Sequence, residues 1–483
     1  MPSVASTRRQ FLAGGAAAAG AAFAGSCVRV RGGTGRLNVL VIIVDTLRPD
    51  HAYGARAITP TIDALAARGL SFTRAFPEAM PTVPARNSIL LGRRMFPFRG
   101  WSDYRGLLAK PGWAPIEDVG NTFTSVLQRA GWWTGYVTDN PFLGFAAPFE
   151  PLRRSFDLFI RHGGQIGGRK GPVAPEILRH WVHPAVREAG MEERVRRYLA
   201  NAAVGEDERR SFAGRVFGSG IEALDLASLK QPFALVVDTY EPHEPWTPPT
   251  RYTDPLSTTR YRGPEPAMPR YGRVDNWVTG EEGQLILERL RVLYSAEVSR
   301  TDRWMGKLLA QLQRLDLERD TVIVLVSDHG IQLGEHGWLG KISTALYPEL
   351  IQVPLIVVDP ARRAAGTESD YFASTHDLGR TILSMTGLRP PPEMTGVDLS
   401  SLFRGVAPPR REFTYGGWSN NHFLRTAHWA YMADNGLSQQ SLFDLDTDPR
   451  QTRDVAAEHP DVTNELAALV ERRTGGSLPV YAE

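Results

Sequence analysis

Three stretches of the chain read as strands covered on both faces, and each ends in an acid. Leu37-Asn38-Val39-Leu40-Val41-Ile42-Ile43-Val44 runs into Asp45, Phe233-Ala234-Leu235-Val236-Val237 into Asp238, and Thr321-Val322-Ile323-Val324-Leu325-Val326 through Ser327 into Asp328. Near-continuous apolar runs of this length are the signature of central strands in a parallel sheet flanked by helices. Leu355-Ile356-Val357-Val358 repeats the pattern, while Thr61 to Ala66 and the long segment Gln284 to Leu315 carry apolar residues at helical spacing. The alternation of β and α defines an α/β fold with a mostly parallel sheet flanked by helices. Ligands of open α/β sheets sit at the carboxyl ends of the strands. One strand-end Asp can equally make a turn or a cap; three together point to a site.

At 483 residues, and with domains of roughly 150 residues common, the chain is long enough for one large domain and a small companion. Beyond about residue 405 the runs shorten. Arg411 to Tyr415, Trp429 to Met432 and Ser441 to Leu445 look like antiparallel strands, and a helix over about Asp461 to Arg473 closes the chain. The expected organisation is an export segment over 1–27, a linker over 28–36, a main domain over 37–405 and a small C-terminal domain over 406–483. Within the main domain, 142–230 carries no legible motif and several basic pairs. It reads either as a solvated helical insertion or as a cap over the cleft.

Lys and Arg total 55 against 53 Asp and Glu, a net charge of +2, so no field recruits nucleic acid and no such partner is expected. The one cysteine, Cys27, excludes disulfide frameworks and cysteine-based zinc sites. It lies in an N-terminal stretch where Arg8-Arg9-Gln10-Phe11-Leu12 precedes a run of Ala and Gly from Ala13 to Gly25. This resembles a twin-arginine export signal, with the twin-arginine export machinery as partner. The run is too short and too rich in Gly to span ~30 Å of hydrocarbon. Ala24-Gly25-Ser26-Cys27 resembles a lipoprotein cleavage box, which implies membrane attachment through a lipidated Cys27. The expected location is periplasmic or at the cell envelope.

The chemistry is spread over some three hundred residues. Asp45, Asp328 and the adjacent His329 make a donor set for one divalent cation: two hard oxygens suit calcium, magnesium or manganese, and the imidazole adds weight to manganese or zinc. Between them lies Pro81-Thr82-Val83-Pro84-Ala85-Arg86, where a hydroxyl precedes a proline-started helix and Arg86 follows one turn on. A hydroxyl there, beside a cation and a guanidinium, is placed to attack an anionic ester. Thr also fills an N-cap well, which is the plainer reading of the same residues.

Taken in order, these motifs resemble the sulfatases of the alkaline phosphatase superfamily. The resemblance runs from Asn38 to about Leu469 through Val44-Asp45-Thr46-Leu47-Arg48-Pro49-Asp50-His51, Glu241-Pro242-His243-Glu244-Pro245-Trp246, Ser327-Asp328-His329-Gly330 and Leu442-Phe443-Asp444-Leu445-Asp446-Thr447-Asp448-Pro449. It implies that Asp45, Asp328 and His329 hold one divalent cation, calcium first, with manganese or zinc as alternatives. It further implies Thr82 as nucleophile, Arg86 as the residue that orients it, and His243 and Lys341 on the ester oxygens or the leaving group. His336 is expected to be structural or to support the residues that bind the metal and the ester.

Three departures qualify the resemblance. Sulfatases convert a Cys or Ser to formylglycine at the position of Thr82, and threonine lacks the primary alcohol or thiol that conversion needs, so no formylglycine is expected. Thr46 stands where many sulfatases carry a further metal-binding Asp. Val137-Thr138-Asp139-Asn140-Pro141 replaces a segment that often supplies a substrate-binding Lys and His, and Asp139 is expected to repel the anion. The reading is an exported metal-dependent hydrolase of a small-molecule, glycan or lipid sulfate or phosphate ester. Its alternatives are a transferase passing a phospho-alcohol group to an envelope glycan or lipid, and a catalytically silent metal-binding member of the family.

Overall fold

All seven residues of Asn38–Val44 (β1) are buried, and successive side chains enter opposite cores. Leu40, Ile42 and Val44 pack on one face, and Val39, Val41 and Ile43 on the other. This two-sided burial is why the run shows no polar alternation, and each such aliphatic side chain contributes roughly 1.5–3 kcal/mol. The computed structural model describes residues 35–166, 171–202, 207–257, 261–277 and 279–482; the proposed export segment with Cys27 lies outside the described residues.

After β1 come Pro60–Ala66 (α1), Leu70–Phe72 (β2), Ala79–Met80 (β3), Thr82–Leu91 (α2), Trp133–Thr138 (β4), Leu158–Arg161 (β5), Glu192–Asn201 (α3), Phe212–Ser228 (α4) and Phe233–Thr239 (β6). The helix Gly280–Arg314 (α5) leads into Thr321–Ser327 (β7), Leu355–Val358 (β8), Thr367–Ser369 (β9) and Asp377–Met385 (α6). The chain closes with Phe413–Trp418 (β10), Asn421–Thr426 (β11), Trp429–Asp434 (β12), Gln440–Asp444 (β13) and Pro460–Thr474 (α7).

The main sheet has the order β9-β2-β8-β7-β1-β6-β4-β5. Its central strands β7, β1 and β6 are parallel, with Val44 opposite Ser327 and Ile43 opposite Asp238. Helices α1, α4 and α5 cover one face, and α2 and α6 the other. The sheet is mostly parallel as expected, with β8 running antiparallel to β7. A parallel return needs a long crossover, usually helical, and the chain between β7 and β8 carries a site loop and only the short helix Pro348–Ile351. The described part of Gly35–Glu483 forms one compact unit. Its second main sheet, β13-β12-β11-β10-β3, is antiparallel except where β10 pairs parallel with β3, the two residues just before Pro81 and Thr82. No helix among the described residues is long and apolar enough to cross a membrane.

Candidate active site

Adjacent parallel strands lie about 4.8 Å apart, so Asp45 and Asp328, which leave β1 and β7 in register, must lie close together. Asp45, Asp328 and His329 do so: one ligand atom from each lies within 4.8 Å of the others, and all three residues are fully buried. Both carboxylate oxygens of Asp45 and Nε2 of His329 have no hydrogen-bond partner among the described residues. His329 Nδ1 lies 2.9 Å from the Gly330 carbonyl, which fixes its proton there and leaves the Nε2 lone pair facing the acids. Asp328 is more occupied, accepting from the backbone N–H groups of Thr46 (3.1 Å) and His329 (2.8 Å). Burial and the neighbouring Asp328 push Asp45 well up from the usual carboxylate range, whereas Asp328, despite equal burial, is held low by His329 and Arg86. Burial also lowers His329, favouring the neutral imidazole.

Orphaned buried oxygens beside a neutral imidazole fit a divalent cation. Charge supports the same conclusion. Arg86 reaches Asp328 at 2.5 Å, Asp45 at 3.2 Å and Asp238 at 2.7 Å, so one guanidinium stands against three carboxylates, all fully buried. Asp238, which ends in the sheet beside the cluster, is thereby taken up: besides Arg86 it accepts from Tyr136 (2.9 Å) and Thr138 (3.2 Å). It anchors Arg86 rather than offering a free ligand.

The loop after β1 is strained and clamped. Thr46 has φ 57°, a left-handed conformation costly for a β-branched residue, and its Oγ1 is buried without a partner among the described residues. Tyr294 of α5 donates its hydroxyl proton to the Thr46 carbonyl at 2.7 Å and accepts from the Arg48 N–H at 3.1 Å. Arg48 in turn pairs with Asp50 and Glu335.

Helix α2 begins at Thr82 itself, not at Pro84, and Pro81 holds the cap position without a side-chain acceptor. The hydroxyl thus sits in the first helical turn, which Pro at position 84 tolerates because its missing N–H would be unsatisfied there. One turn on, Arg86 donates to the Thr82 carbonyl at 3.2 Å, tying the start of α2 to the acid cluster.

Thr82, His243 and Lys341 line one cavity of about 710 Å³. His243 stacks on Tyr240 with ring centres 4.1 Å apart, and its Nδ1 lies 2.7 Å from the Glu244 carbonyl. Burial lowers its pKa well below the usual value, which favours the neutral imidazole, and with the Nδ1 proton on the Glu244 carbonyl the Nε2 lone pair can accept. Lys341 Nζ lies 3.2 and 3.1 Å from the two Glu244 oxygens; burial lowers its pKa and Glu244 opposes that. Glu244, although part of the quoted motif, had no role assigned from sequence. It is the buried carboxylate that holds Lys341, the Tyr271 hydroxyl and, at 3.6 Å, Arg194. Its adjacency to His243 was the available signal; Arg194 showed only as one of the basic residues of the motif-free segment.

Asp139 does not face the cavity. Its Oδ1 accepts the Tyr240 N–H at 2.6 Å, and burial raises its pKa to about 8, so it presents no charge to an incoming anion. His336 stacks on Tyr347 at 3.8 Å, a structural role. Glu193, Arg194, Gln165 and Ile166 of the 142–230 segment line the cavity, so this segment forms part of its wall.

Fold and cluster together define the class: an α/β protein with a candidate cation site at the carboxyl edge of its sheet. The sulfatase family model matches residues 37–388, and a second model, N-sulphoglucosamine sulphohydrolase, C-terminal, matches 334–474. The chain belongs to the sulfatase family. An arylsulfatase of Clostridium perfringens is 23% identical over 86% of this chain and 89% of its own. The mouse arylsulfatase K is 29% identical, but over 39% of this chain and 36% of that one. Among solved structures, the phosphonate monoester hydrolase of Silicibacter pomeroyi superposes with a TM-score of 0.68 at 20% identity, covering 91% of this chain and 95% of that one.

Proposed function

We propose that this chain is an exported, metal-dependent hydrolase that cleaves a sulfate, phosphate or phosphonate ester with Thr82 Oγ1 as direct nucleophile. The observation that carries the reading is the shared wall: Thr82 opens on the cavity holding His243 and Lys341, and its helix is tied through Arg86 to the acid cluster. Asp45, Asp328 and His329 would hold the cation, calcium first by its oxygen donors, and when bound it would supply electrostatic stabilisation to the reacting anion. Lys341 binds a non-bridging oxygen of the ester. His243, neutral and with a free Nε2, takes the Thr82 proton and returns it to the leaving alcohol as the Oγ1 bond to sulfur or phosphorus forms and the ester bond breaks. Water then releases the esterified threonine. The nature of residue 82 favours this route, since a secondary alcohol is not a substrate for formylglycine formation but can be a nucleophile. Arg86 holds the site without touching the ester.

Thr82→Ala is expected to lower turnover by at least about a thousandfold while keeping metal content near that of the wild type; Asp328→Asn is expected to lose both. Intact-mass measurement during turnover checks the route directly, through a mass gain of one sulfuryl or phosphoryl group on the peptide containing Thr82. Full activity in Thr82→Ala would overturn the assignment. Export is tested separately: Arg8→Lys with Arg9→Lys should retain the protein in the cytoplasm, and Cys27→Ala should release it from the membrane fraction.

A further inference from the structure

Gln165 and Arg194 on the cavity wall are only loosely engaged by the protein itself. Gln165 is 3% exposed and lines the cavity, yet neither its amide nitrogen nor its amide oxygen has a hydrogen-bond partner among the described residues. Burial of a carboxamide without partners is unfavourable unless a ligand supplies them. Arg194 of α3 faces the same cavity, and its nearest carboxylate, Glu244, lies at 3.6 Å, beyond hydrogen-bond reach and already engaged by Lys341 and Tyr271. The wall carrying Gln165 lies along α3, because a Cβ on Gly164 would meet the Asn201 side chain at 2.7 Å. The mouth is apolar: Leu108 and Ile166 are each 45% exposed and line the cavity with Phe142.

We infer that Gln165 and Arg194 form a subsite for a second oxyanion, carried on an apolar alcohol portion of the ester. The inference rests on the ester hydrolysis proposed above. A guanidinium fork pairs with carboxylate or sulfonate oxygens, the Gln165 amide N–H groups donate to the same group, and the exposed leucine, isoleucine and phenylalanine cover the hydrocarbon. Trp113, Trp418, Tyr240, Tyr271 and Ser343 also line the wall, so a saccharide is the competing occupant that the test separates.

The test presents the full-length enzyme, with divalent cation, with phosphate and sulfate esters of naphthol, hydroxynaphthoic acid, hydroxynaphthalene sulfonic acid and glucosamine. The oxyanion-bearing naphthyl esters are expected to exceed the plain naphthyl ester in kcat/KM by about tenfold or more, and Gln165→Ala and Arg194→Met each to lower that ratio about tenfold. The carboxylate and sulfonate arms tell which oxyanion is preferred. Equal losses on every ester would place Arg194 on the reacting group and overturn the inference, as would preference for the glucosamine ester. A binding measurement separates this from the nucleophile assignment: Thr82→Ala should still bind free hydroxynaphthoate, followed by its fluorescence, and adding Gln165→Ala should raise Kd about tenfold. If no ester is turned over, the hydrolase reading fails while this binding result still decides the subsite; an unchanged Kd overturns it.

Discussion

Burial raises the Asp139 carboxyl to about 8, and the group sits fully enclosed with Oδ1 on the Tyr240 N–H. In the unfolded chain the same acid titrates near 3.9, so between these values the folded protein binds a proton the unfolded one does not. Stability from this residue is therefore fully present at acidic pH and is lost as pH rises through about 8. Asn resembles the protonated acid, so Asp139→Asn is expected to match the wild type in Tm only at or below about pH 4 and to exceed it by a margin that grows until pH passes about 8, a difference that scanning calorimetry reads directly. Arg86 predicts the opposite kind of effect. Its loss leaves Asp45, Asp238 and Asp328 buried without their shared counter-charge, so Arg86→Met should cost about 3–5 kcal/mol in denaturant unfolding as well as abolishing turnover.

Among the elements, α5 shows how a long helix serves a site it does not line. Tyr294 joins it to both ends of the strained turn at Thr46, and removing the hydroxyl strands the Thr46 carbonyl and the Arg48 N–H. Tyr294→Phe is expected to cost about 1–3 kcal/mol in stability and to raise the cation concentration needed for half-maximal activity, measured by titration of the metal-free enzyme. That helix, β1, β6 and β7 were legible in the sequence because two-sided burial writes itself as unbroken apolar runs and a long amphipathic period. Strands β4 and β11 were not. Trp133-Thr134-Gly135-Tyr136-Val137-Thr138 and Asn421-His422-Phe423-Leu424-Arg425-Thr426 mix polar and apolar residues, and neighbouring strands rather than their own composition hold them in place. The same distinction applies to the site. Strand-end acids and the His next to Asp328 announce themselves locally, whereas Gln165 and Arg194 owe their positions to the folding of a segment with no periodic signature. The direction of Asp139 was misread because a side chain's facing depends on which backbone N–H lies across from it, here that of Tyr240 at the end of β6.

At the scale of the whole molecule, the three acids leave the central strands of the main sheet, so the charge state of the site acts on the stability of the entire α/β unit. Three buried carboxylates against Arg86 leave a surplus of negative charge that a divalent cation would neutralise, and a ligand bound only by the folded state stabilises it by mass action. Chelation is therefore expected to lower Tm, and calcium, manganese or zinc to restore it in order of affinity. Asp45→Asn supplies the sharper measurement. With cation present the variant loses a ligand and should melt below the wild type. In chelated protein it removes one of two mutually repelling acids whose burial already drives Asp45 toward its neutral form, so there it should melt above the wild type, by about 2 °C or more. The chelated wild type should also gain stability as pH falls, because folded Asp45 takes up a proton at a pH where the unfolded chain does not. A reversal of rank between the two conditions, read by thermal unfolding with and without chelator, would arise from electrostatic competition at one cation site. An Asp45→Asn variant that melts lower in both would mean that the carboxylate serves the fold through Arg86 alone.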